Sequence, residues 1–458
     1  MAVLLRHPAW RQRFGRRGAY YDIMRILLIS ANTEPFPDAV FPLGAVLVGN
    51  ALRTAGAEVR ILDMRRHSPL SLRNELAAFS PERIGISLRN ADNAAYPATR
   101  SYLSAYTALV RSLREFTGAP VILGGPAFSL FPEEMLHRLG ADSGVRGEGE
   151  CALSAFLGPS RERIVTGGFP DIDDIAFPPG IDTMFPGFRA YRTIGIQTAR
   201  GCPNRCIYCT YPVLEGRKRR HRRPEAVAAE IDLLYRRFGI RDFFIVDSLF
   251  NADEEHMIAV AERIASLDIR IRFSCYLKPR VSDPSIFRLL KRSGCAAVDF
   301  GTDSGSPALL ASLGKPFSRD DILRASRACT EAGIDFCHSL LFGGPGETPE
   351  TISETAELMD EAGPKAVIAM TGVRIYPGTE IARIAADEGI VAEGDSLLAP
   401  RFYFPPMGPY SLLRYVHERA QGRRNWFFPG KRDWGSAIGF KVLRFLYRKG
   451  PLWRILRR

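Results

Sequence analysis

Between Met24 and about Leu157, short apolar runs alternate with longer amphipathic stretches. The apolar runs are RILLIS, EVRILDM, RIGISL and VILGGP. The stretches between them, such as LGAVLVGNALRTAG, space their apolar residues at the helical period. Because this alternation is typical of buried strands covered by helices on both faces, the pattern predicts an α/β domain with a doubly wound parallel sheet over residues 24–157.

A second series of strands and helices begins at about Thr193. Its six strand-like runs are IGIQTAR, DFFIVDS, IRFSCYL, AVDFGTD, DFCHSLLFG and AVIAMTGVRIY. Six such units predict an incomplete α/β barrel over residues 191–390, with functional residues at the carboxyl ends of the strands. Between the two series, residues 158–190 contain several prolines and no periodic pattern, which predicts an interdomain linker.

The two ends of the chain depart from this pattern. Residues 1–23 are basic, and their apolar run is too short for the core of a signal peptide, so we expect a disordered leader. The regular pattern is lost after about residue 390, and residues 391–458 mix basic and aromatic side chains. Residues 401–458 hold 14 Arg and Lys against two acidic residues, a difference that equals the net charge of +12 of the whole chain.

The composition is that of an ordinary globular protein, with 46% hydrophobic and 24% charged residues. A single hydrophobic core rarely grows beyond about 250 to 300 residues, so a chain of 458 residues should form two or three domains. The sequence contains no run of about 18 uncharged apolar residues that would span a bilayer. Eight scattered cysteines do not form the dense framework of a small secreted domain, and we expect a cytoplasmic protein.

Three of the cysteines cluster in the segment GCPNRCIYCT, just after the first barrel strand. Cys202, Cys206 and Cys209 have the spacing C-x3-C-x2-C. Three thiolates on one loop can hold three irons of a cubane and leave the fourth iron open to a ligand. A structural zinc site ordinarily takes four ligands, and the nearest further candidate is His221 in the basic run GRKRRHRR. We therefore predict a [4Fe–4S] cluster, with zinc as the alternative.

The triplet, followed by a β/α series, resembles the radical S-adenosylmethionine superfamily. This resemblance implies that Cys202, Cys206 and Cys209 bind the cluster and that the open iron chelates the methionine part of S-adenosylmethionine. It also implies that Tyr208, before the last cysteine, lies near the adenine.

Two later segments are similar to cofactor-binding segments of the same superfamily. VDFGTDSGS, residues 298–306, is similar to a segment that approaches the ribose and carboxylate, which implies that Asp303 and Ser304 contact the cofactor. Asp303 stands where Glu is usual and is one methylene shorter. LLFGGPGET, residues 340–348, resembles a turn whose glycines permit close backbone approach, here Gly343, Gly344 and Gly346.

The first domain resembles the Rossmann-like cobalamin-binding half of B12-dependent radical S-adenosylmethionine enzymes. The resemblance is carried by MRILLIS, PLGAVLVGNALRTAGAEVRILD, VILGGPAFSLFPEEML and VRGEGE, and with the barrel it covers roughly residues 24–390. It implies cobalamin contacts at Gly124 and Gly125. The motif D-x-H-x-x-G is absent, so we expect no histidine ligand to cobalt. A doubly wound domain that binds a nucleotide, or no ligand, is the alternative.

The resemblance implies a methyltransferase mechanism. In the family, a 5′-deoxyadenosyl radical abstracts hydrogen from an unactivated carbon, and the substrate radical takes a methyl group from methylcobalamin. The expected substrate is a natural-product or lipid-like small molecule, and the expected electron donor is a flavodoxin or ferredoxin. Cyclisation or rearrangement with the same cofactors is the alternative activity.

Other residues leave alternatives open. Cys275, Tyr276, Cys295 and Cys337 lie at or near strand ends, where a thiol or phenol could transfer a proton, but a cysteine in an apolar strand more often belongs to the core. The basic aromatic tail suggests a second class of function, a protein that binds nucleic acid or a lipid surface. We expect a tail docked on the barrel, with peripheral membrane contact as the alternative and no nucleic-acid partner.

Overall fold

The computed structural model describes residues 23–34, 39–158, 162–392, 394–429 and 451–455. Most of the expected leader and the tail residues 430–450 lie outside these ranges. The described chain forms two large parallel sheets, one of six strands and one of seven. No helix of the described parts is long and apolar enough to cross a membrane.

The first sheet has the strand order β2-β1-β3-β4-β5-β6, and all its strands are parallel. Ile26 and Leu28 of β1 face one side of the sheet, and Leu27 and Ile29 face the other, and all four are buried. Burial on both faces explains why RILLIS is apolar at every central position. The doubly wound α/β fold expected for this part of the chain is confirmed. Its strands are β1 (Arg25–Ser30), β2 (Glu58–Asp63), β3 (Arg83–Ser87), β4 (Val121–Gly124), β5 (Ser143–Arg146) and β6 (Ile164–Thr166).

The helices of this part alternate with the strands and cover both faces of the sheet. They are α1 (Leu43–Thr54), α2 (Pro69–Phe79), α3 (Leu103–Phe116), α4 (Pro126–Leu130), α5 (Pro132–Leu139), α6 (Ser154–Leu157) and α7 (Ile181–Met184).

The segment 158–190, expected as an irregular linker, is partly integrated into the fold. Its strand β6 pairs with β5 as the sixth strand of the first sheet. Further along, Phe177, Ile181 and Phe188 are buried in a core that the two sheets share. A strand of three residues between proline- and glycine-rich stretches is too short to show a period, which is why the sequence pattern did not reveal it.

The second sheet is the partial barrel expected from the sequence, and its order is β17-β14-β13-β12-β11-β10-β7. Six strands carry the β/α units, and β17 adds a seventh parallel strand at the edge. The barrel strands are β7 (Ile194–Ile196), β10 (Asp242–Ile245), β11 (Arg272–Leu277), β12 (Cys295–Asp303), β13 (Asp335–Phe342), β14 (Ala366–Thr371) and β17 (Trp426–Phe427). Two short antiparallel pairs accompany them: β8 (Ala199–Arg200) with β9 (Arg220–His221), and β15 (Val373–Arg374) with β16 (Phe402–Tyr403).

Most helices of this part pack against one another on the outer face of the sheet. The helices of this part are α8 (Tyr211–Leu214), α9 (Pro224–Phe238), α10 (Glu254–Ala265), α11 (Ile286–Arg292), α12 (Pro307–Ser312), α13 (Arg319–Ala332), α14 (Pro349–Ala362), α15 (Glu380–Asp387) and α16 (Gly408–Ala420). The short α8 instead contacts α4 of the first domain.

Part of the C-terminal region, where the sequence shows no regular pattern, docks on the barrel. Helix α16 buries Leu412 and Val416 in the same core as residues of α14. Trp426 and Phe427 then pair with β14. The expected docking of the tail is thus seen in its described parts, whereas the amphipathic stretch around Phe445 lies outside them.

Candidate active site

The three clustered cysteines lie on the loop that follows β8, close to the carboxyl end of the first barrel strand. All three are free thiols; Cys202 is buried, and Cys206 and Cys209 are half-buried. Burial raises the pKa of the Cys206 thiol, and it raises that of Cys209 to about 12. The three thiols also influence one another electrostatically, so they share one small region. Thiolates there need a positively charged partner, as an iron cluster provides.

The described residues contain no group of three His, Cys, Asp or Glu side chains placed around a single metal ion. A four-iron cubane does not require several side chains around one metal ion, because each cysteine thiolate binds a different iron. The chemistry of the donor set, three thiols on one loop, fits such a cluster.

Asp247, at the end of β10, holds the start of this loop. Its carboxylate accepts hydrogen bonds from the backbone N–H of Thr198 at 2.7 Å, the Thr198 hydroxyl at 2.6 Å and the N–H of Ala199 at 3.1 Å. Arg219 donates to Asp247 at 3.2 Å and to the carbonyl of Gly201 at 2.8 Å. Asp247 therefore positions the cysteine loop and is 1% exposed, so it does not line an open site.

Gly314 packs against the other side of the cysteine loop, where Ile207 N–H donates to the carbonyl of Leu313 at 3.2 Å. A Cβ at position 314 would lie 2.4 Å from the carbonyl oxygen of Arg205, and its φ of +70° is unfavourable for any L-residue by about 1–2 kcal/mol. We expect Gly314→Ala to displace the loop and lower the iron content several-fold after anaerobic reconstitution.

Gly333→Ala is the matched control for that experiment. Its φ is +66°, but a Cβ there would meet only the end of the Lys291 side chain, at 3.7 Å. This variant should lose some stability and keep its iron. Equal iron contents in the two variants would show that the approach of Gly314 to the loop is unimportant.

Tyr208, Asp303 and Lys315 form a compact polar group beside the cysteines. The Tyr208 hydroxyl donates to the Asp303 carboxylate, which also pairs with the Lys315 ammonium. Lys315 donates further to the Tyr208 oxygen at 3.0 Å and to the carbonyl of Gly301 at 3.1 Å. Asp303 has a φ of +64° at an irregularity in the pairing of β12 with β13. Backbone strain of this kind at a strand end is typical of functional sites.

The two later segments predicted four other cofactor-binding residues: Ser304, Gly343, Gly344 and Gly346. They lie near this group, but they make different contacts. The Ser304 hydroxyl bonds the Thr355 hydroxyl at 3.0 Å, so it anchors the turn that follows β12 to helix α14. Gly343 and Gly344 pack tightly, since a Cβ on either would lie 2.8 Å from a leucine side chain. Gly346 is exposed, and a Cβ there would contact nothing within 4 Å. Of these four residues, Gly346 alone leaves open space in front of its backbone.

Glu347 fixes this glycine turn from inside. Its carboxylate accepts from Gly343 N–H at 3.0 Å and from the Thr351 hydroxyl at 2.6 Å. Burial raises the pKa of the Glu347 carboxyl to about 7, and both hydrogen bonds act in the opposite direction. An unfolded Glu has a pKa of about 4.3, so the neutral form favours the fold. Its contribution is present below about pH 4 and is lost as the pH rises through about 7.

We expect Glu347→Gln to flatten this pH dependence. Relative to the wild type, the variant should gain on the order of 3 kcal/mol in the free energy of unfolding between about pH 4 and pH 8. Urea unfolding at several pH values measures the difference. Glu350→Gln, at an exposed position in the first turn of α14 just after Glu347, is the control and should keep the wild-type slope over this pH range. A Glu347→Gln profile parallel to the wild type would contradict the buried, neutral carboxyl.

The carboxyl end of β4 in the first sheet holds Gly124 and Gly125. A Cβ on Gly125 would lie 2.7 Å from the carbonyl oxygen of Leu88, and its φ is +93°, so glycine is required there by the neighbouring backbone. Gly124 is half-buried, and a Cβ there would meet only one atom, at 3.9 Å. Gly124 is therefore the more open of the two positions toward a ligand.

Ion pairs join the carboxyl ends of the two sheets. Glu148, after β5, pairs with Arg200 at 2.6 Å and with Arg220, and Arg200 pairs with Glu150 at 2.7 Å. These side chains are at least 85% buried. Arg200 lies two residues before Cys202, so the network connects the first domain directly to the cysteine loop.

A second set of contacts joins the first sheet to the barrel at another place along the same edges. Asp92, after β3, pairs with Arg374, after β14, at 2.9 Å, and both are buried. The carbonyl of Tyr96 accepts from the Thr371 hydroxyl at 3.0 Å. Since all these residues follow strands at their carboxyl ends, the two sheets present these edges to each other. In α/β sheets this edge is where ligands bind.

Arg89 extends from β3 toward the barrel. Burial raises the pKa of Tyr211 and of Tyr276, and the positive charge of Arg89 acts in the opposite direction on both phenols. Arg89 itself is exposed. The positive charge of Arg89 in the first domain therefore affects the pKa values of two tyrosines in the barrel. We call the space between the facing sheet edges the crevice.

Two family descriptions match the chain, one for each sheet. Residues 30–157 match the B12 binding domain, and residues 196–359 match the Radical SAM superfamily. The chain belongs to the radical S-adenosylmethionine enzymes that carry a B12-binding domain. Membership gives this radical enzyme three cofactors: a [4Fe–4S] cluster, S-adenosylmethionine and cobalamin.

Relatives and a solved structure agree with this assignment. The radical enzyme is 26% identical to tryptophan 2-C-methyltransferase of Streptomyces laurentii, over 79% of its own chain and 74% of that protein. It is 27% identical to hopanoid C-3 methylase of Methylococcus capsulatus, over 57% of its own chain and 53% of that protein. A structure of the radical S-adenosylmethionine methyltransferase TsrM from Kitasatospora setae, with cobalamin and a [4Fe–4S] cluster bound, superposes with a TM-score of 0.83. That structure has 22% sequence identity and covers 95% of this chain and 98% of its own, which establishes a shared fold.

The structure brings the predicted residues Cys202, Cys206, Cys209, Tyr208 and Asp303 together. It also adds residues that sequence reasoning missed. Lys315 lies in SLGKPFS, which carries no distinctive signal. The pairing of Glu148 with Arg200 joins residues 52 positions apart. The sequence pattern does not link these two residues, although VRGEGE is one of the segments that carry the resemblance of the first domain.

Proposed function

We propose that this radical enzyme methylates a carbon atom of a small-molecule substrate in the crevice between its two domains. Residues 24–157 form the cobalamin module, and residues 191–390 form the module for the cluster and S-adenosylmethionine. The observation that carries the proposal is the Glu148–Arg200 contact at 2.6 Å, which brings the edge of the cobalamin module to the base of the cysteine loop. Two cofactors on these facing edges would share one reaction space.

Each cofactor has residues that fit it. Cys202, Cys206 and Cys209 would hold the cluster. Asp303 and Lys315 offer an acceptor and a cation at one point, which complements the ammonium and carboxylate of the methionine moiety. Tyr208 lies beside them, and Gly346 leaves its backbone accessible. Gly124 is the corresponding open position of the cobalamin module.

When bound, the cluster and cobalamin supply one-electron cleavage of S-adenosylmethionine and a transferable methyl group. The protein's own residues position these groups and exclude water. Asp247 and Arg219 fix the cysteine loop, and the buried pairs at Glu148 and Asp92 hold the two modules in contact. Closure of the crevice on both sides protects reactive species from solvent.

Two further predictions concern partners, the electron donor and the contact of the tail with a membrane. Reduction of the cluster requires an external electron donor, and a flavodoxin or ferredoxin fits that requirement. The described parts of the tail bury Trp426 and Trp453 against the barrel. Residues 430–450, which hold six of the Arg and Lys residues of the tail, lie outside the described ranges, so membrane contact stays a prediction of the sequence.

Isotope labelling tests the proposal. The reconstituted enzyme would be incubated with a reductant, S-adenosylmethionine carrying a trideuterated methyl group, and a panel of small molecules beginning with tryptophan, the substrate named for a relative. We expect a product that carries the intact label on carbon, together with 5′-deoxyadenosine. A labelled product without 5′-deoxyadenosine would contradict the radical step. Rearranged, unlabelled products would favour the alternative activity.

A further inference from the structure

The inner face of the barrel is accessible to solvent. Along β10 to β14, the outward side chains are buried under helices, whereas the inward positions alternate with them and are partly exposed. Tyr276 is 40% exposed although its strand lies in the middle of the sheet. We call the space enclosed by these inward faces the lumen. The partly exposed inward residues are Phe244, Tyr276, Asp299, Gly301, Ser339, Leu341, Ile368 and Met370.

A row of polar side chains crosses the lumen. Tyr276, Asp299 and Cys337 are direct partners in the pairing of β11, β12 and β13. The Cys337 thiol donates a hydrogen bond to the Asp299 carboxylate. Phe244 packs edge-on against the Tyr276 ring, with 5.2 Å between ring centroids, and adds an aromatic wall.

The C-terminal segment closes the lumen below this row. Trp453 packs against Ala297, Cys337 and Ala366 at the amino-terminal ends of the strands. Its indole lies close enough to lower the pKa of Asp299, although its Nε1–H makes no hydrogen bond of normal geometry within the described residues. Arg454 fixes the segment by pairing with Asp335 at 2.6 Å. The segment 451–455 therefore covers the lumen at the amino-terminal ends of the strands.

Asp299 is an acidic group without a cation beside it among the described residues. Burial raises its pKa to about 6, and Cys337 and Trp453 act in the opposite direction. At neutral pH the carboxyl is mostly ionised. An ionised carboxylate in a partly enclosed space is costly unless a positive or hydrogen-bonding group joins it. Among the charged groups near the lumen entrance, Asp303 and Lys315 already pair with each other. The charge of the exposed Arg89 acts on Tyr276 and is not among the influences on the pKa of Asp299.

We propose that Asp299 anchors the substrate by binding a protonated amine, so that the substrate is a small molecule with a basic nitrogen. The inference rests on the proposed function for one point, that the lumen is the substrate site. Asp299 precedes Asp303 by four residues on β12, a rise of about 13 Å, which is room for a molecule of roughly amino-acid size. A pure hydrocarbon substrate would leave the carboxylate with the Cys337 thiol as a hydrogen-bond donor and with no positive charge beside it among the described residues.

Binding of two matched probes to the reconstituted enzyme tests this inference without requiring turnover. Phenethylamine carries an ammonium group, and 2-phenylethanol has nearly the same shape without the charge. Calorimetry should show that the wild type binds the amine about 10- to 100-fold more tightly, the range expected for a hydrogen bond to a charged group. Asp299→Asn should lose this preference and keep its iron and cobalt contents.

Two controls keep the result interpretable. Asp320→Asn, at an exposed position of α13, and Cys337→Ser, which leaves the carboxylate in place, should both retain the preference. Equal binding of the two probes by the wild type would overturn the inference, even if Asp299→Asn fails to fold. Retention of the preference in Asp299→Asn would overturn it as well. Failure of methyl transfer would leave both readouts intact, so the two proposals fail separately.

Discussion

Replacing Cys202, Cys206 and Cys209 together by alanine is expected to lower the iron content from about four per chain to near zero and to abolish methyl transfer. In the proposed site each of these thiols would bind a different iron, and no other cysteine lies on their loop. Loss of the thiolates would therefore remove the cluster, and with it the proposed site for S-adenosylmethionine. Metal analysis and visible spectra after anaerobic reconstitution measure the first effect, and the labelling assay measures the second.

Cys151→Ala and Cys329→Ala are the controls for this experiment. Cys151 is exposed in the first domain, and Cys329 is buried in helix α13 under the sheet. Both variants should bind iron as the wild type does. Retention of about four irons by the triple variant would mean that the cluster is held elsewhere, and the assignment of the active site would be wrong.

Glu148→Ala is expected to have the largest effect on stability among single substitutions at the domain contact. Glu148 pairs with Arg200 and Arg220, Glu150 pairs with Arg200, and the Glu148, Arg200 and Arg220 side chains are at least 85% buried. Removing one partner of a buried ion pair leaves an uncompensated charge, which costs on the order of 3–5 kcal/mol. The free energy of unfolding in urea should fall by that amount. Cobalamin binding should weaken too, because the modules lose their contact beside the crevice.

Glu75→Ala provides a matched control in the same domain. Its partner Arg60 lies at 3.2 Å, but both side chains are 35% exposed. Exposed pairs contribute about 0–1 kcal/mol, so this variant should unfold close to the wild type. If the two variants lost equal stability, the buried network at Glu148 would have no special role in joining the modules.

The sequence pattern revealed those features whose signal is local. Ile26 to Ile29 are apolar in succession because both faces of β1 are covered, and this produces a recognisable run. The three cysteines are separated by only a few residues, so their spacing alone indicates a cluster. Asp303 was found because it lies within a segment similar to those of known enzymes.

Features that depend on tertiary contacts were not visible in the sequence. Trp453 reaches the floor of the lumen from the far end of the chain, and its neighbours Ala297 and Ala366 are ordinary core residues. Asp299 lies in an apolar strand, and its position in the lumen follows from its pairing in register with Tyr276 on β11 and Cys337 on β13. Such juxtapositions follow from strand order, which an amino-acid pattern specifies only indirectly.

The most direct test of the account is a joint iron and cobalt analysis of one purified sample. The full-length protein would be reconstituted anaerobically with iron, sulfide and cobalamin and then freed of unbound cofactor by gel filtration. We expect about four irons and one cobalt per chain in the same protein peak. Iron without cobalt would contradict the methyl-transfer function, and the absence of iron would contradict the cluster assignment itself.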